Sequence, residues 1–195
     1  MKKNVAFTSA IIALFATIIC IGCVIRIPLG LVPIVLQNAL CILTGTILGG
    51  LLGGAPTALF IVAGLIGLPV FAGGSSGFAV LLGPTGGFFP GYLLGAIIAG
   101  LIAGKPDIQQ KKFSAVNVIR VSVAIIAGMI ILYIPGTIHF ARWALSNSKV
   151  PADKSAFAFT MSACVLPFIP GDIIKTVICI PVALAVRPVL AQYRR

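Results

Sequence analysis

Apolar residues form long blocks along this chain, and short links between the blocks hold most of its charged residues. From residue 27 to residue 104, 78 consecutive positions carry no Asp, Glu, Lys, Arg or His. One bilayer crossing takes about 20 predominantly apolar residues, so this interval alone is long enough for up to about three crossings. The pattern predicts an all-α integral membrane protein.

We predict six transmembrane helices in a single domain that covers residues 1–195. Links that contain proline, glycine or charge separate the helices, and a proline- and glycine-containing stretch, residues 166–171, interrupts the last one. An even number of crossings places both termini on the same side of the membrane. The predicted helices cover residues 7–25, 34–52, 57–67, 88–104, 114–134 and 157–187.

The fifth predicted helix is expected to end at Pro135 and Gly136, because proline disrupts a helix interior. In the following residues, 137–145, the spacing of three and four places His139, Arg142 and Trp143 on one helix face. This spacing predicts a short amphipathic helix at the membrane interface. We therefore interpret His139 as an interfacial residue.

A glycine-rich run, Gly67–Gly91, separates the third and fourth predicted helices and has the sequence GLPVFAGGSSGFAVLLGPTGGFFPG. Glycine costs a helix about 1 kcal/mol and proline about 3 kcal/mol relative to alanine, so a single regular helix is not expected here. Irregular backbone at membrane depth persists only where protein buries it or where it lines a cavity. The run is either a tight connector or a loop that caps a bound small molecule, and we favour the capping loop.

Composition and charge agree with the membrane assignment. Hydrophobic residues make up 59% of the chain and charged residues 9%, and the mean hydropathy is +1.18, whereas soluble domains have about 25% charged residues. The formal net charge is +11, but the basic residues are scattered at the ends of the apolar blocks, which argues against a nucleic-acid interface.

Positive charge accumulates on the cytoplasmic side of membrane proteins. In the six-helix topology, eight basic residues fall on the side of the termini and four on the opposite side. This bias predicts cytoplasmic termini and an external glycine-rich run. The eight are Lys2, Lys3, Lys105, Lys111, Lys112, Arg187, Arg194 and Arg195; the four are Arg26, Arg142, Lys149 and Lys154.

Three short patterns are interpreted without a catalytic role. The N-terminus resembles a signal peptide, but its apolar run is long and has no clear cleavage site, so we predict a retained first helix. Cys20 and Cys23 form a CxxC pattern with no His or acidic residue nearby, and we interpret them as packing residues. No GxxxxGK[ST] motif is present, so this chain does not contain its own ATPase.

The first predicted helix carries small residues at helical spacing, including the pair Ala6 and Ala10, with Ala13 on an adjoining face. Such faces let another helix approach closely. They predict either packing within this bundle or docking to a separate subunit.

An ionisable pair lies inside the last apolar block. Of the three acidic residues, only Asp172 is in an apolar region, and Lys175 follows on the same helix face. Ionisable residues within a membrane mark functional sites by default. The pair is either a structural ion pair or a donor and acceptor for a planar N–H/C=O group, and because Lys175 neutralises Asp172 we expect cationic ligands to be rejected.

Four motifs in order resemble the BioY family, the biotin-binding S components of energy-coupling factor transporters, and the resemblance extends from about residue 6 to residue 188. They are VPIVLQ at residues 32–37, GLPVFAGG at residues 67–74, GPTGGF with GY at residues 83–88 and 91–92, and PFIPGDIIK at residues 167–175.

The resemblance implies a multi-pass protein of the bacterial cytoplasmic membrane that binds biotin near the outer surface, under the loop before the fourth helix. Asp172 and Lys175 would hold the ureido ring, Phe71 and Phe168 would supply apolar walls, and Ser75 or Ser76 would stand where some members have a loop asparagine. Arg26 is a topological candidate for the carboxylate. The full set of candidate ligand residues is Gln37, Phe71, Gly73, Gly74, Ser75, Gly77, Thr85, Tyr92, Phe168, Asp172 and Lys175.

The resemblance also implies partners. The small residues Ala6, Ala10 and Ala13 would dock on a shared transmembrane coupling protein, and two ATPase subunits would use ATP to drive release inward. No cofactor and no enzymatic activity are expected in this chain itself. Related S components are thought to topple in the membrane.

Three alternatives remain open at this point. Gly74–Gly77 reads GxSG, the nucleophile pattern of rhomboid proteases, but Ser76 would need a base, and the only histidine is His139. An S component for another vitamin would differ only in its pocket. A secondary transporter would show internal repeats and an unpaired carboxylate, and neither is apparent.

Overall fold

The computed structural model describes residues 5–23, the backbone of 26–27, residue 32, and residues 34–108 and 114–193. Several basic residues used to predict the topology lie outside the described residues. They are Lys2, Lys3, Lys111, Lys112, Arg194 and Arg195, together with the side chain of Arg26.

The described chain is mainly helical, as predicted, with one minimal antiparallel strand pair. In this pair, β1 (Arg26–Ile27) is joined to β2 (Ile34–Val35) with Arg26 opposite Val35. Short 3-10 turns cover Leu51–Gly54 and Ala72–Gly74. The helices are α1 (Val5–Ile21), α2 (Gln37–Leu48), α3 (Ala55–Leu65), α4 (Ala79–Leu82), α5 (Phe88–Ala103), α6 (Ala115–Ser146), α7 (Ala156–Cys164) and α8 (Ile169–Tyr193).

Local sequence explains several helix ends. Ser114 and Ser155 precede α6 and α7, and their hydroxyls accept backbone N–H groups of Asn117 and Ala158 at 3.4 and 3.2 Å. Gly49 and Gly104 follow α2 and α5 with φ of 68° and 69°, a conformation that glycine adopts without steric cost. The last block is interrupted as predicted, but at residues 165–168 and not 166–171, because α7 ends at Cys164 and α8 starts at Ile169. Pro170 and Gly171 therefore lie in the first turn of α8, where proline is tolerated.

The predicted end of the fifth helix at Pro135 is wrong. Helix α6 runs through Pro135 to Ser146, so residues 137–145 form its last turns instead of a separate interfacial helix. Within these turns the Thr137 hydroxyl donates to the carbonyl of Tyr133 at 2.7 Å. Close packing against α5 outweighs the free-energy cost of a proline inside the helix, since a Cβ on Gly136 would lie 2.5 Å from the Phe88 ring.

Helices α2, α5, α6 and α8 form the centre of the bundle, and small residues bring them into close contact. A Cβ added to Gly45 of α2 would lie 2.3 Å from the Ala96 carbonyl oxygen of α5. On the opposite face of α5, a Cβ on Gly91 would lie 2.3 Å from the Leu132 carbonyl oxygen of α6. Close backbone approach through glycine is typical of helix packing in membranes.

The outer surface of the bundle is strongly apolar, as expected of a membrane protein. Helices α6 and α8 are long and apolar enough to cross a bilayer, whereas the other apolar helices have 10–17 residues. Large side chains such as Ile119, Ile130, Ile174 and Val177 are more than half exposed. A soluble monomer rarely exposes so large an apolar surface.

Arg187 of α8 is almost completely buried at the end of the bundle where α2 and α5 finish. Its guanidinium donates to the carbonyl of Thr46 in α2, and to those of Ala103 (2.8 Å) and Gly104 (3.1 Å) at the end of α5. These carbonyls belong to helix C-termini, which carry partial negative charge and lack helical partners. One side chain of α8 therefore joins the ends of α2 and α5.

We predict that Arg187→Met lowers the melting temperature of the purified protein in detergent by about 5–10 °C. The change removes charge-assisted hydrogen bonds worth about 1.5–3 kcal/mol, and 1 kcal/mol corresponds to about 2–4 °C for a chain of this size. Arg142→Met is the matched control, because Arg142 is exposed. Equal melting temperatures for the two variants would contradict this role of Arg187.

Candidate functional site

A cavity of about 240 Å³ lies between the N-terminal ends of α2 and α5, the middle of α6, the junction of α7 with α8, and the glycine-rich run. Its walls are mostly apolar and aromatic with a few polar groups, which is the usual composition of a small-molecule site. The residues that line it are Val32, Val35, Gln37, Asn38, Ala72, Ser75, Val80, Pro84, Thr85, Phe88, Phe89, Tyr92, Leu132, Tyr133, Cys164 and Phe168.

The glycine-rich run contributes Ala72, Ser75, Val80, Pro84 and Thr85 to the cavity wall. It is not one regular helix, as its composition predicts. It contains one 3-10 turn and the short helix α4, and Gly67, Gly73, Gly74 and Gly77 have φ between 71° and 108°. A β-bridge between Phe71 and Ser75 closes a tight turn, in which the Phe71 N–H donates to the Ser75 carbonyl at 3.0 Å.

Phe71 anchors the run to the bundle. Its side chain is completely buried, and its ring lies 4.4 Å from that of Phe89 and 5.5 Å from that of Phe60, measured between centroids. Gly64 of α3 leaves room for this ring, since an added Cβ would lie 2.1 Å from it. The ring thus fixes the backbone that carries Ala72 and Ser75 over the cavity.

Polar contacts hold both ends of the run. The Gln37 side-chain amide donates to the Val70 carbonyl at 2.9 Å, which joins the first turn of α2 to the run. At the far end, Nε2 of His139 lies 2.9 Å from the Gly83 carbonyl oxygen. His139 is half-buried on α6 and so contacts the run, whereas its position in the sequence had indicated only an interfacial residue.

The predicted pair, Asp172 and Lys175, lies beside the cavity in the first two turns of α8. Lys175 Nζ and Asp172 Oδ1 are 2.9 Å apart, and the side chains are 13% and 9% exposed. The shared helix face and the position of Asp172 in the first turn are both as predicted. A carboxylate there is stabilised by the partial positive charge of the helix N-terminus.

Two further residues, Asn38 and Tyr133, complete a charged cluster with this pair. The Asn38 amide donates to Asp172 Oδ1 at 2.9 Å, and the Tyr133 hydroxyl donates to Asp172 Oδ2 at 2.5 Å. Lys175 Nζ also donates to Asn38 Oδ1 at 3.1 Å and to the Val35 carbonyl at 2.8 Å. The cluster therefore joins α2, α6 and α8 at the cavity, and each charge has hydrogen-bond partners.

The structure brings only part of the predicted set to the cavity wall. Gln37, Ser75, Thr85, Tyr92 and Phe168 line it. Asp172 and Lys175 lie behind Asn38 and Tyr133, Phe71 lies beneath the run, and Gly73, Gly74 and Gly77 shape the run without lining the cavity.

Asn38 and Tyr133 were not among the predicted site residues. Asn38 carried a usable signal, because a buried amide directly after Gln37 in an apolar block requires partners. Tyr133 carried none, since its contact with Asp172 spans 39 residues of sequence.

The predicted docking residues lie on the outside of the bundle. Ala6, Ala10 and Ala13 are exposed on one side of α1, while Ile11, Phe15 and Ile19 on the other side are buried. The alternative of internal packing is therefore wrong for these three alanines.

Taken together, the apolar bundle and its cavity define a helical membrane protein with a candidate small-molecule site. The sequence model of the BioY family matches residues 1–192, and the chain belongs to this family. The resemblance of the four motifs is thereby confirmed.

Curated relatives and a solved structure agree. The chain is 36% identical over 197 residues to the biotin transporter BioY of Rhodobacter capsulatus, covering 100% of this chain and 96% of the relative. It is 33% identical over 174 residues to a probable biotin transporter BioY of Pyrococcus horikoshii, covering 89% and 92%. It is also similar to the crystal structure of the S-component for biotin from an ECF-type ABC transporter, with a TM-score of 0.75 and 29% identity, covering 96% of this chain and 94% of that chain.

These relatives are named as transport proteins, which removes the protease alternative. The geometry agrees, because the ring of the only histidine, His139, contacts the Gly83 carbonyl through Nε2.

We predict that Gly64→Ala displaces the Phe71 ring and loosens the glycine-rich run. Overpacking costs about 1–3 kcal/mol, so the melting temperature should fall by about 5 °C and chymotrypsin should cleave faster at Phe78 within the run. Gly171→Ala is the matched control, because no atom lies within 4 Å of its added Cβ. Unchanged cleavage of Gly64→Ala would contradict the anchoring role of Phe71.

Proposed function

We propose that this chain is the biotin-binding S component of an energy-coupling factor transporter and takes up biotin across the bacterial cytoplasmic membrane. The observation that carries the proposal is the cavity. The glycine-rich run forms part of its wall, and the charged cluster that contains Asp172 and Lys175 lies beside it. Membership of the BioY family and the names of the relatives support it.

In this proposal the chain crosses the membrane six times, with α7 and α8 forming one broken crossing. Both termini are cytoplasmic, and the glycine-rich run faces outward. The apolar outer surface of the bundle supports this placement. The helices shorter than about 20 residues would span the bilayer together with their flanking turns.

Biotin would lie with its ring system toward the charged cluster and its body between apolar walls. Asp172 and Lys175 supply the charge of the cluster, Phe168 and Tyr92 supply walls, and Gln37, Ser75 and Thr85 supply polar contacts at the wall. Because the ammonium already neutralises the carboxylate, a cationic ring would gain no net attraction and would still lose its hydration. The cavity therefore favours a neutral ring.

The first helix would dock on a transmembrane coupling protein, whose two ATPase subunits supply the energy of release. The exposed face formed by Ala6, Ala10 and Ala13 supports this role, because small residues allow a partner helix to approach closely.

We predict that purified protein is stabilised by biotin and desthiobiotin, and that Asp172→Asn or Lys175→Ala lowers biotin affinity at least about tenfold. Each variant loses charge-assisted hydrogen bonds worth about 1.5–3 kcal/mol. Asp153→Asn, in an exposed loop, is the matched control. Retention of labelled biotin and thermal shifts measure the effect, with thiamine and riboflavin as comparison ligands. Absence of biotin binding by the wild-type protein would overturn the proposal.

We also predict that Ala10→Leu abolishes copurification with the coupling protein and its ATPases, and with it biotin uptake, while biotin binding to the isolated protein stays within about twofold. The larger side chain blocks close helix approach without contacting the cavity. Ala158→Leu, an equivalent change at an exposed alanine of α7, should leave the complex intact. A normal complex with Ala10→Leu would show that α1 docks elsewhere or not at all.

A further inference from the structure

We propose that the outer side of the glycine-rich run lies in the external leaflet of the bilayer, with Phe78 and Leu82 among the acyl chains. The partner of this surface is lipid, and the bilayer helps to keep the run at the cavity wall. The inference rests on the proposed function for its topology, in which the run faces outward. It gives lipid a part in retaining the ligand.

The side chains of the run are distributed in the opposite way to those of a loop in water. The run has no charged residue, and its polar side chains are Ser75, Ser76 and Thr85. Ser75 and Thr85 line the cavity, whereas Phe78 and Leu82 are 69% and 79% exposed on the outside. Large exposed apolar patches mark sites of contact with protein or membrane, so this surface needs a partner.

The short helix α4 shows the same division within one turn. Val80 and Leu81 pack against the core, and Val80 lines the cavity. Phe78 directly precedes the helix and Leu82 ends it, and a separation of four residues places their side chains on one face. Phenylalanine and leucine form the apolar face of segments that lie in the membrane interface.

The neighbouring helix α3 already has an exposed apolar face. Leu59, Val62 and Ile66, at spacings of three and four residues, are 43%, 53% and 75% exposed. In the six-helix topology α3 crosses the bilayer, so acyl chains cover this face.

Two backbone hydrogen bonds make the run continuous with this lipid-facing side of α3. The Leu68 N–H donates to the Ala63 carbonyl at 3.1 Å, and the Gly77 N–H donates to the Gly64 carbonyl at 2.8 Å. Both carbonyls belong to the last turn of α3. Phe78 therefore follows directly after a residue that is bonded to the end of this helix, at the edge of the surface that lipid covers.

Lipid fits this surface better than a protein does. Protein interfaces surround an apolar centre with a polar rim, and the whole interval 27–104, which includes α3 and the run, contains no charged residue. The face predicted to dock on the coupling protein lies elsewhere, on α1. Acyl chains need neither a polar rim nor shape complementarity.

Contact with lipid has a consequence for the ligand. Phe78 and Leu82 are not among the described residues that line the cavity, so they act on the ligand only through the position of the run. Movement of the run away from the bundle into water would transfer both side chains out of lipid, which is unfavourable. The bilayer therefore slows release of the ligand.

The first test measures quenching of tryptophan fluorescence by brominated lipids. The only tryptophan, Trp143, is replaced by Phe, and Phe78→Trp or Leu82→Trp is introduced into that protein in phosphatidylcholine vesicles. Interfacial segments bury their apolar face by about 5–10 Å. Bromines near the start of the acyl chains should therefore quench both variants strongly, and bromines near the chain ends should quench them less.

Two matched variants set the scale of this test. Ile130→Trp, at a 60% exposed position inside α6, should be quenched most by bromines deep in the chains. Ala152→Trp, at an exposed position of the polar link 147–155, should be quenched little at any depth. If Phe78→Trp and Leu82→Trp are quenched no more than Ala152→Trp, the inference is overturned.

The second test measures the dissociation rate of biotin from the protein in lipid nanodiscs. Phe78→Asp should release biotin about fivefold faster than wild type, because the charged side chain leaves the acyl chains and the run is held less firmly. Phe157→Asp is the matched control, since Phe157 is 72% exposed on α7, and it should leave the rate unchanged. An unchanged rate for Phe78→Asp would overturn the role of lipid in retention.

The two tests separate this inference from the proposed function. If wild type does not bind biotin, the proposed function fails, while the quenching measurement still decides whether the run lies in lipid. If biotin binds but the run is not quenched, the inference fails and the proposed function stands.

Discussion

The structure depends on keeping one carboxylate and one ammonium group charged in an apolar bundle. Removing such a pair from water costs several kcal/mol per ion, and mutual attraction repays this only when further hydrogen bonds satisfy the remaining positions. Asp172 and Lys175 therefore form hydrogen bonds with side chains of α2 and α6 and with the backbone of β2. The same requirement brings these elements together at one end of the bundle, and the cavity is the space that they leave beneath the glycine-rich run.

The glycine-rich run differs from this polar cluster in how it is held in place. It has no charge and little regular structure, so its position depends on a few anchors, chiefly Phe71 in its aromatic pocket and the bonds from Gln37 and His139. Positive φ angles at several of its glycines allow a tight path over the cavity without side-chain crowding. A segment held by few contacts opens at lower free energy than the helices around it.

Sequence patterns were sufficient for the helical class, the irregular run, the broken last block and the Asp172–Lys175 pair, because each is encoded within a few neighbouring residues. They were misleading at Pro135, where glycine-mediated packing between α5 and α6 outweighs the local preference of proline. They could not reveal Tyr133 or Arg187, whose partners are 39 and more than 80 residues away in sequence. Long-range polar contacts leave no periodic signature, so only the folded chain shows them.

The position of Arg187 makes the two ends of the bundle unequal. At the end opposite the cavity, its guanidinium joins the last turns of α2 and α5 to α8. At the cavity end, the glycine-rich run forms part of the wall. Separation of α2 and α5 from α8 at the Arg187 end would first have to break the hydrogen bonds from the guanidinium to three carbonyls.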